Sequence, residues 1–289
     1  GYAALSTEDT GHGSVAIGPF ALEDQDAGNA YNVAIGFSAG LEVTTGIYNN
    51  LIGGNSGNSL TTGSRNVAIG YNALQAEDDH GRNVAIGHNS LYAQDAGVDA
   101  YNVAVGYDTG VSVTTGIYNV ILGGFAGDAL TTGGSNVAIG LNALGAEDTG
   151  SDSIAIGRSA LLNQNYDGSA YNVAIGREAG KEITTGVLNT LIGGLSGDAL
   201  TIGNSNVAVG YQALTNETEG DRNVAIGFSA LSNQNYGSDA DTYNVAVGYN
   251  AGTSMTTGVE NVLIGGLTGD ALTTGDYNTA VGHKSLSGE

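Results

Sequence analysis

The chain of 289 residues has no cysteine and no tryptophan, one proline, one methionine and only seven lysine or arginine residues. Each shortage removes a class of protein. Without cysteine, neither disulfides nor thiolate metal sites can hold the fold. Seven basic against 29 acidic residues give a formal net charge of −22, so no basic patch is present to engage a nucleic acid or an anionic membrane. No apolar run approaches the ~18 residues of a membrane-spanning helix, and the first residues do not read as a signal peptide. Neither nucleic-acid partners nor membrane insertion is expected. Pro19 is the only proline, so no proline-rich hinge divides the chain.

What the chain has in abundance is glycine, 49 residues of it, and the spacing is regular. A motif typified by Asn66-Val67-Ala68-Ile69-Gly70 recurs from end to end, its glycine falling at 18, 36, 53, 70, 87, 106, 123, 140, 157, 176, 193, 210, 227, 248, 265 and 282. Most intervals are 17 residues, with single steps of 18, 19, 19 and 21. Glycine at every third position is not seen, which excludes collagen. Apolar residues at fixed phase exclude disorder. A period of this length predicts stacked coils: an all-β parallel β-solenoid, or β-roll, of about 17 coils and a single domain over 1–289. At ~4.8 Å per stacked strand the array is expected to be a rod on the order of 80 Å long.

Within each coil, alternation puts Val and Ile on one strand face and Ala on the other. The larger Val/Ile face is expected to fill the coil, leaving a flat Ala stripe outside as a subunit contact. The motif asparagines are Asn32, Asn49, Asn66, Asn83, Asn102, Asn119, Asn136, Asn172, Asn189, Asn206, Asn223, Asn244, Asn261 and Asn278, with Ser14 and Ser153 in the remaining places. They are expected to stack as a structural ladder at a corner whose left-handed backbone asparagine tolerates.

Beyond the strand, two kinds of coil alternate in pairs. One carries Ala-Leu, as in Ala73-Leu74. The other has glycine where that Leu stood, with an aliphatic residue three places on, such as Val43, Leu60, Ile183 or Leu200. The unit is thus a four-coil superrepeat of about 70 residues, near 1–69, 70–139, 140–209 and 210–289. One coil in each carries Leu or Ile for the motif Ala and a second glycine after the first, as in Leu51-Ile52-Gly53-Gly54, which suggests an exchange of volume across the corner.

These Asn-Val-Ala-Ile-Gly arrays, with their interleaved Thr-Thr-Gly, resemble the head repeats of trimeric autotransporter adhesins, and more so the repeats of phage tail fibres. The resemblance covers the whole chain. It implies a homotrimer packed about a common axis, on a virion tail fibre or a bacterial cell surface, with a host-cell receptor as the other partner. Adhesin head coils are shorter than 17 residues, a departure that bears on the cross-section.

The extra residues of the long coils fall once per superrepeat, and insertions in a solenoid protrude on one edge. Gln25, Asp26, Asn29, Gln94, Asp95, Asp99, Gln164, Asn165, Tyr166, Asp167, Gln234, Asn235, Tyr236, Asp239 and Asp241 are therefore the candidate receptor contacts, suited to hydrogen-bonding a glycan and stacking on it. Acidic turns at Glu23-Asp24, Glu77-Asp78-Asp79, Glu147-Asp148 and Glu217 with Glu219 and Asp221 could hold Ca²⁺, but no calcium-loop motif accompanies them, and they read as solvated charge with no metal or other cofactor expected. No catalytic residue is assigned: a glycosidase needs carboxyls paired across a cleft, and no Ser-His-Asp set or phosphate loop is present. An ice-binding reading of the Thr rows fails on their interruption by acidic loops.

Overall fold

The computed structural model describes residues 1–9 and 11–288. It is an all-β parallel β-solenoid with coils of about 17 residues, and no helix occurs among the described residues. The chain forms two compact units, Gly1–Asn142 and Ala143–Glu289. The first contains β1 (Val15–Ile17), β2 (Val33–Ile35), β3 (Asn50–Ile52), β4 (Val67–Ile69), β5 (Val84–Ile86), β6 (Val103–Val105), β7 (Val120–Leu122) and β8 (Val137–Ile139). The second contains β9 (Ile154–Ile156), β10 (Val173–Ile175), β11 (Thr190–Ile192), β12 (Val207–Val209), β13 (Val224–Ile226), β14 (Val245–Val247), β15 (Val262–Ile264) and β16 (Thr279–Val281). Within each unit every strand pairs in parallel with the next in sequence. The register holds motif on motif, as in Val67↔Val84, Ala68↔Ala85 and Ile69↔Ile86.

Which face points inward is the reverse of the sequence expectation. The central Ala is fully buried in coil after coil (Ala34, Ala68, Ala104, Ala174, Ala208), while the flanking Val and Ile are half-buried or exposed. The reason is the narrowness of the coil. A motif Ala shares the interior with a Leu from the opposite turn, such as Leu74 or Leu144, and two large faces would not fit. The Ala stripe is therefore core, and the apolar strip on the outside is made of Val and Ile.

Volume exchange does occur, but between the strand and the opposite turn. Where the motif carries Leu51, the turn residues opposite are Gly40 and Gly57. A Cβ at Gly57 would lie 2.7 Å from Leu51 Cδ2 and 2.8 Å from Leu60 Cδ1. Leu51 thus fills the space that Leu74 fills in the other kind of coil, reaching over both Gly40 and Gly57.

Sharp turns come from left-handed residues at fixed phase, and the asparagine is not one of them. The residue before it takes that conformation: Tyr48 (φ 61°), Arg65 (φ 62°), Tyr118 (φ 62°). So do the residues two and four past the motif glycine, such as Asn72 (φ 56°) and Leu74 (φ 52°). Each such residue costs about 1 kcal/mol or more outside glycine. Stacking offsets this, because their N–H groups bond to neighbouring coils: Tyr118 to Ala100 O at 2.8 Å, Asn72 to Gly54 O at 3.0 Å and Leu74 to Ser90 O at 3.0 Å. The motif glycine itself is obligatory. Gly70 has φ 138°, and a Cβ there would lie 2.2 Å from Gly87 O in the next coil.

The exchange can be tested with a double-mutant cycle. Leu51→Ala is expected to cost about 2–5 kcal/mol as a cavity, and Gly57→Leu alone about 1–3 kcal/mol through overpacking. The pair recreates the Ala68/Leu74 arrangement and should recover most of the loss in urea unfolding. Additive losses would refute the exchange.

Candidate functional site

Fourteen of the sixteen motifs turn on an asparagine, which is buried in all of them but Asn278. Its side-chain oxygen accepts the backbone N–H of the next asparagine: Asn32 from Asn49 at 2.8 Å, Asn102 from Asn119 at 2.8 Å, Asn172 from Asn189 at 2.9 Å, Asn189 from Asn206 at 2.9 Å. Its amide donates to a carbonyl on the far side of its own coil, as Asn102 does to Gly116 O at 2.7 Å and Asn119 to Gly133 O at 3.0 Å. One residue type supplies an acceptor along the stack and a donor across it. This is the expected ladder, with the additional bond across the coil.

Seven residues past the motif glycine lies a second interior column, filled mainly by Val43, Leu60, Val113 or Leu130 in half of the coils. In the other half the same phase carries Glu77, Glu147 and Glu217, followed one coil later by Gln94, Gln164 and Gln234, and all six are fully buried. Sequence reasoning treated these glutamates as solvated and these glutamines as displayed. Their phase, the one that holds Val43 and Leu60, was the signal. Gln25, Gln94, Gln164 and Gln234 point inward to the ladder: their side-chain oxygens accept from Asn32 (2.9 Å), Asn102 (2.6 Å), Asn172 (2.9 Å) and Asn244 (3.2 Å). They are not available to a receptor.

The buried glutamates cap their own turns. Glu147 accepts from Gly150 N–H at 2.7 Å and from the Gln164 amide at 3.0 Å. Glu217 accepts from Gly220 N–H at 2.9 Å and Thr218 N–H at 3.0 Å. Burial raises the Glu147 carboxyl above its ordinary range, against the lowering effect of those donors and the Tyr166 N–H. Burial pushes Glu77 up to about 7, opposed by the His80 N–H, with the charges of Asp95 and Asp78 adding to the rise.

The remaining loop candidates divide into two groups. Asp26, Asn29, Asp95, Asn165, Tyr166, Asp167, Asn235, Tyr236 and Asp239 are exposed. Asp99 and Asp241 face outward but are engaged in close ion pairs with Arg82 and Arg222. Those same arginines lie over the Tyr101 and Tyr243 rings at 5.3 and 5.6 Å. Two of the four long turns are thus pinned beside the strand face by an Asp–Arg–Tyr set.

The outer strand face carries four columns. The middle two are apolar, Val or Ile apart from Asn50, Leu122, Thr190 and Thr279. Beside them run the residues two before Val (such as Tyr31, Tyr48, Arg65, Arg82, Tyr101 and Tyr118 in unit 1) and two after Ile on the other edge, just past the glycine (such as Tyr71, His88 and Tyr107 in unit 1; Tyr211, Phe228 and Tyr249 in unit 2). Successive rings stack on one another, with centroids 5.5 Å apart for Tyr71–His88, 5.2 Å for His88–Tyr107 and 5.4 Å for Phe228–Tyr249. Their faces meet neighbouring rings and their edges meet solvent, which favours packing over sugar stacking. Of the 29 acidic residues only Asp152 and Glu260 stand in these four columns, against five of the seven basic ones, Arg65, Arg82, Arg158, Arg177 and Arg222.

No family model matches the chain, and no curated protein matches it.

Asn119→Ala strands the Asn136 N–H and the Gly133 carbonyl, and should cost roughly 2–4 kcal/mol in chemical unfolding; a loss under about 0.5 kcal/mol would show that the ladder is dispensable. A pH test follows from Glu147. Its carboxyl binds a proton more readily folded than unfolded, so protonation favours the fold. Relative to a Glu147→Gln variant, the parent chain is expected to gain stability as the pH falls from neutral toward the ordinary carboxylate range. Parallel stability curves for the two would contradict it.

Proposed function

We propose that this chain is a structural and receptor-presenting segment of a phage tail fibre. Three copies associate through their outer Val/Ile faces into a rigid rod that displays the long turns to a host-cell surface glycan or protein. The carrying observation is the four-column outer face. Within each unit the outward Val and Ile recur from strand to strand, half-buried or exposed, and monomeric proteins rarely leave such a stripe bare. On a chain of net charge −22, this face is nearly free of acid and bordered by arginines, so like copies can approach there without the repulsion found elsewhere. The Ala stripe expected to form the contact is core, and the face available to a second copy is the opposite side of the same strands.

Catalysis has no part in this reading. Glu147 and Glu217 are occupied in capping their turns. The receptor contacts are the exposed side chains of the long turns, chiefly Asn165, Tyr166 and Asp167, and Asn235, Tyr236 and Asp239.

The test is the mass in solution by light scattering. A mass near three times 28.8 kDa is expected. Lys in place of the outward Ile175 and Ile192 should shift it toward the single-chain value while leaving the far-ultraviolet circular dichroism unchanged. A folded parent chain of single mass would refute the trimer. Glycan-array binding that is lost in a Tyr166→Ala, Tyr236→Ala variant would support the receptor assignment, and undiminished binding would reject it.

A further inference from the structure

We propose that the turn from Glu77 to His80 binds one first-row divalent transition-metal ion, with Zn²⁺ as the reference, through Glu77, Asp78 and His80. The repeat supplies its own controls. In the three sister turns the place of His80 is taken by Gly11, Gly150 and Gly220, so an imidazole stands at this position in one turn only, the first turn carrying its His12 one place further on.

The donors around the buried carboxylate change with it. In the sister turn Glu147 is held by a backbone N–H at 2.7 Å and by the Gln164 amide at 3.0 Å. At Glu77 the corresponding N–H, from His80, lies at 3.2 Å, and the Asn83 amide lies at 3.4 Å. The matching glutamine, Gln94, turns its amide to Thr114 O at 2.9 Å instead. Beside the Asp78 N–H, this fully buried carboxylate is thus held by contacts longer than the two that hold Glu147. The His80 ring meanwhile places Nδ1 4.0 Å from Glu77 Oε1, and that nitrogen is shielded from solvent without a hydrogen-bond partner.

One oxygen each from Glu77 and Asp78 and one nitrogen of His80 lie within 4.8 Å of one another. A single ion with bonds of about 2.0–2.2 Å can bridge such a set after small side-chain adjustments. Asp79 and Asp95 add negative charge nearby. An imidazole donor with two carboxylates suits Zn²⁺ and its neighbours, whereas Ca²⁺ and Mg²⁺ are bound by oxygen alone. The ion would neutralise a buried carboxylate and fasten the turn to the coil interior, whatever the oligomeric state.

The experiment is equilibrium dialysis of the full chain against Zn²⁺ after treatment with a chelator, with Co²⁺ absorption as a readout of an N/O ligand set. One strongly held Zn²⁺ per chain is expected, undisplaced by equal Ca²⁺. His80→Gly restores the sister turn and should weaken that binding by about tenfold or more. Asp78→Asn, at a half-buried position, provides a second variant with the same expected loss if His80→Gly disturbs the coil. Parent binding no tighter than that of both variants, or equal displacement by Ca²⁺, would overturn the proposal.

Discussion

The structure depends on one constraint: each coil must lie directly on the next, with no side chain between their backbones at the end of the strand. The motif glycine meets it by having no Cβ where the next coil's carbonyl approaches, at 2.2 Å from the Cβ position in the case of Gly70. The asparagine meets it by satisfying the corner's backbone groups from its own side chain. Once these two residues fix the stack, left-handed conformations that cost energy singly become tolerable. Each adds a bond to a neighbouring coil.

From this thin stack follows the division of labour among side chains. The interior has room for an Ala methyl opposite a Leu, or a Leu opposite a glycine, and the larger β-branched residues are pushed outward. The outer face then carries the apolar surface that a wider coil would have kept inside. The assembly proposal is a consequence of coil width: a narrow solenoid with a β-branched motif shows an apolar strip and gains by covering it.

Much of this was legible in the sequence. The period, the three-residue strands, their parallel pairing and the asparagine ladder follow from Asn66 to Gly70 and its recurrence. Alternation at Val67, Ala68 and Ile69 establishes two faces but carries no information on which is inside. That depends on the residue opposite, and the Leu51/Gly57 pair was the available clue. The buried glutamates were misjudged because charge was given more weight than phase: Glu77, Glu147 and Glu217 stand where Val43 and Leu60 stand. The glutamines of the long turns were misplaced for the same reason. The left-handed residue at the corner is the one before the motif asparagine, whether Tyr48, Arg65, Leu188 or Glu260, because bonds between coils compensate for its conformation, and that is invisible to local propensity.

The central claim is that the outward Val/Ile face is covered in the native assembly. The chain has no cysteine, so a single one can be introduced at Ile192, which is 38% exposed in the isolated chain, and its labelling rate by a soluble thiol reagent compared with that of a cysteine at the exposed Thr185. The account predicts that the Ile192 thiol is strongly protected in the native protein and becomes as reactive as the other on unfolding. Equal labelling of the two in the folded protein would mean that the face is bare, and the account of its use would be wrong.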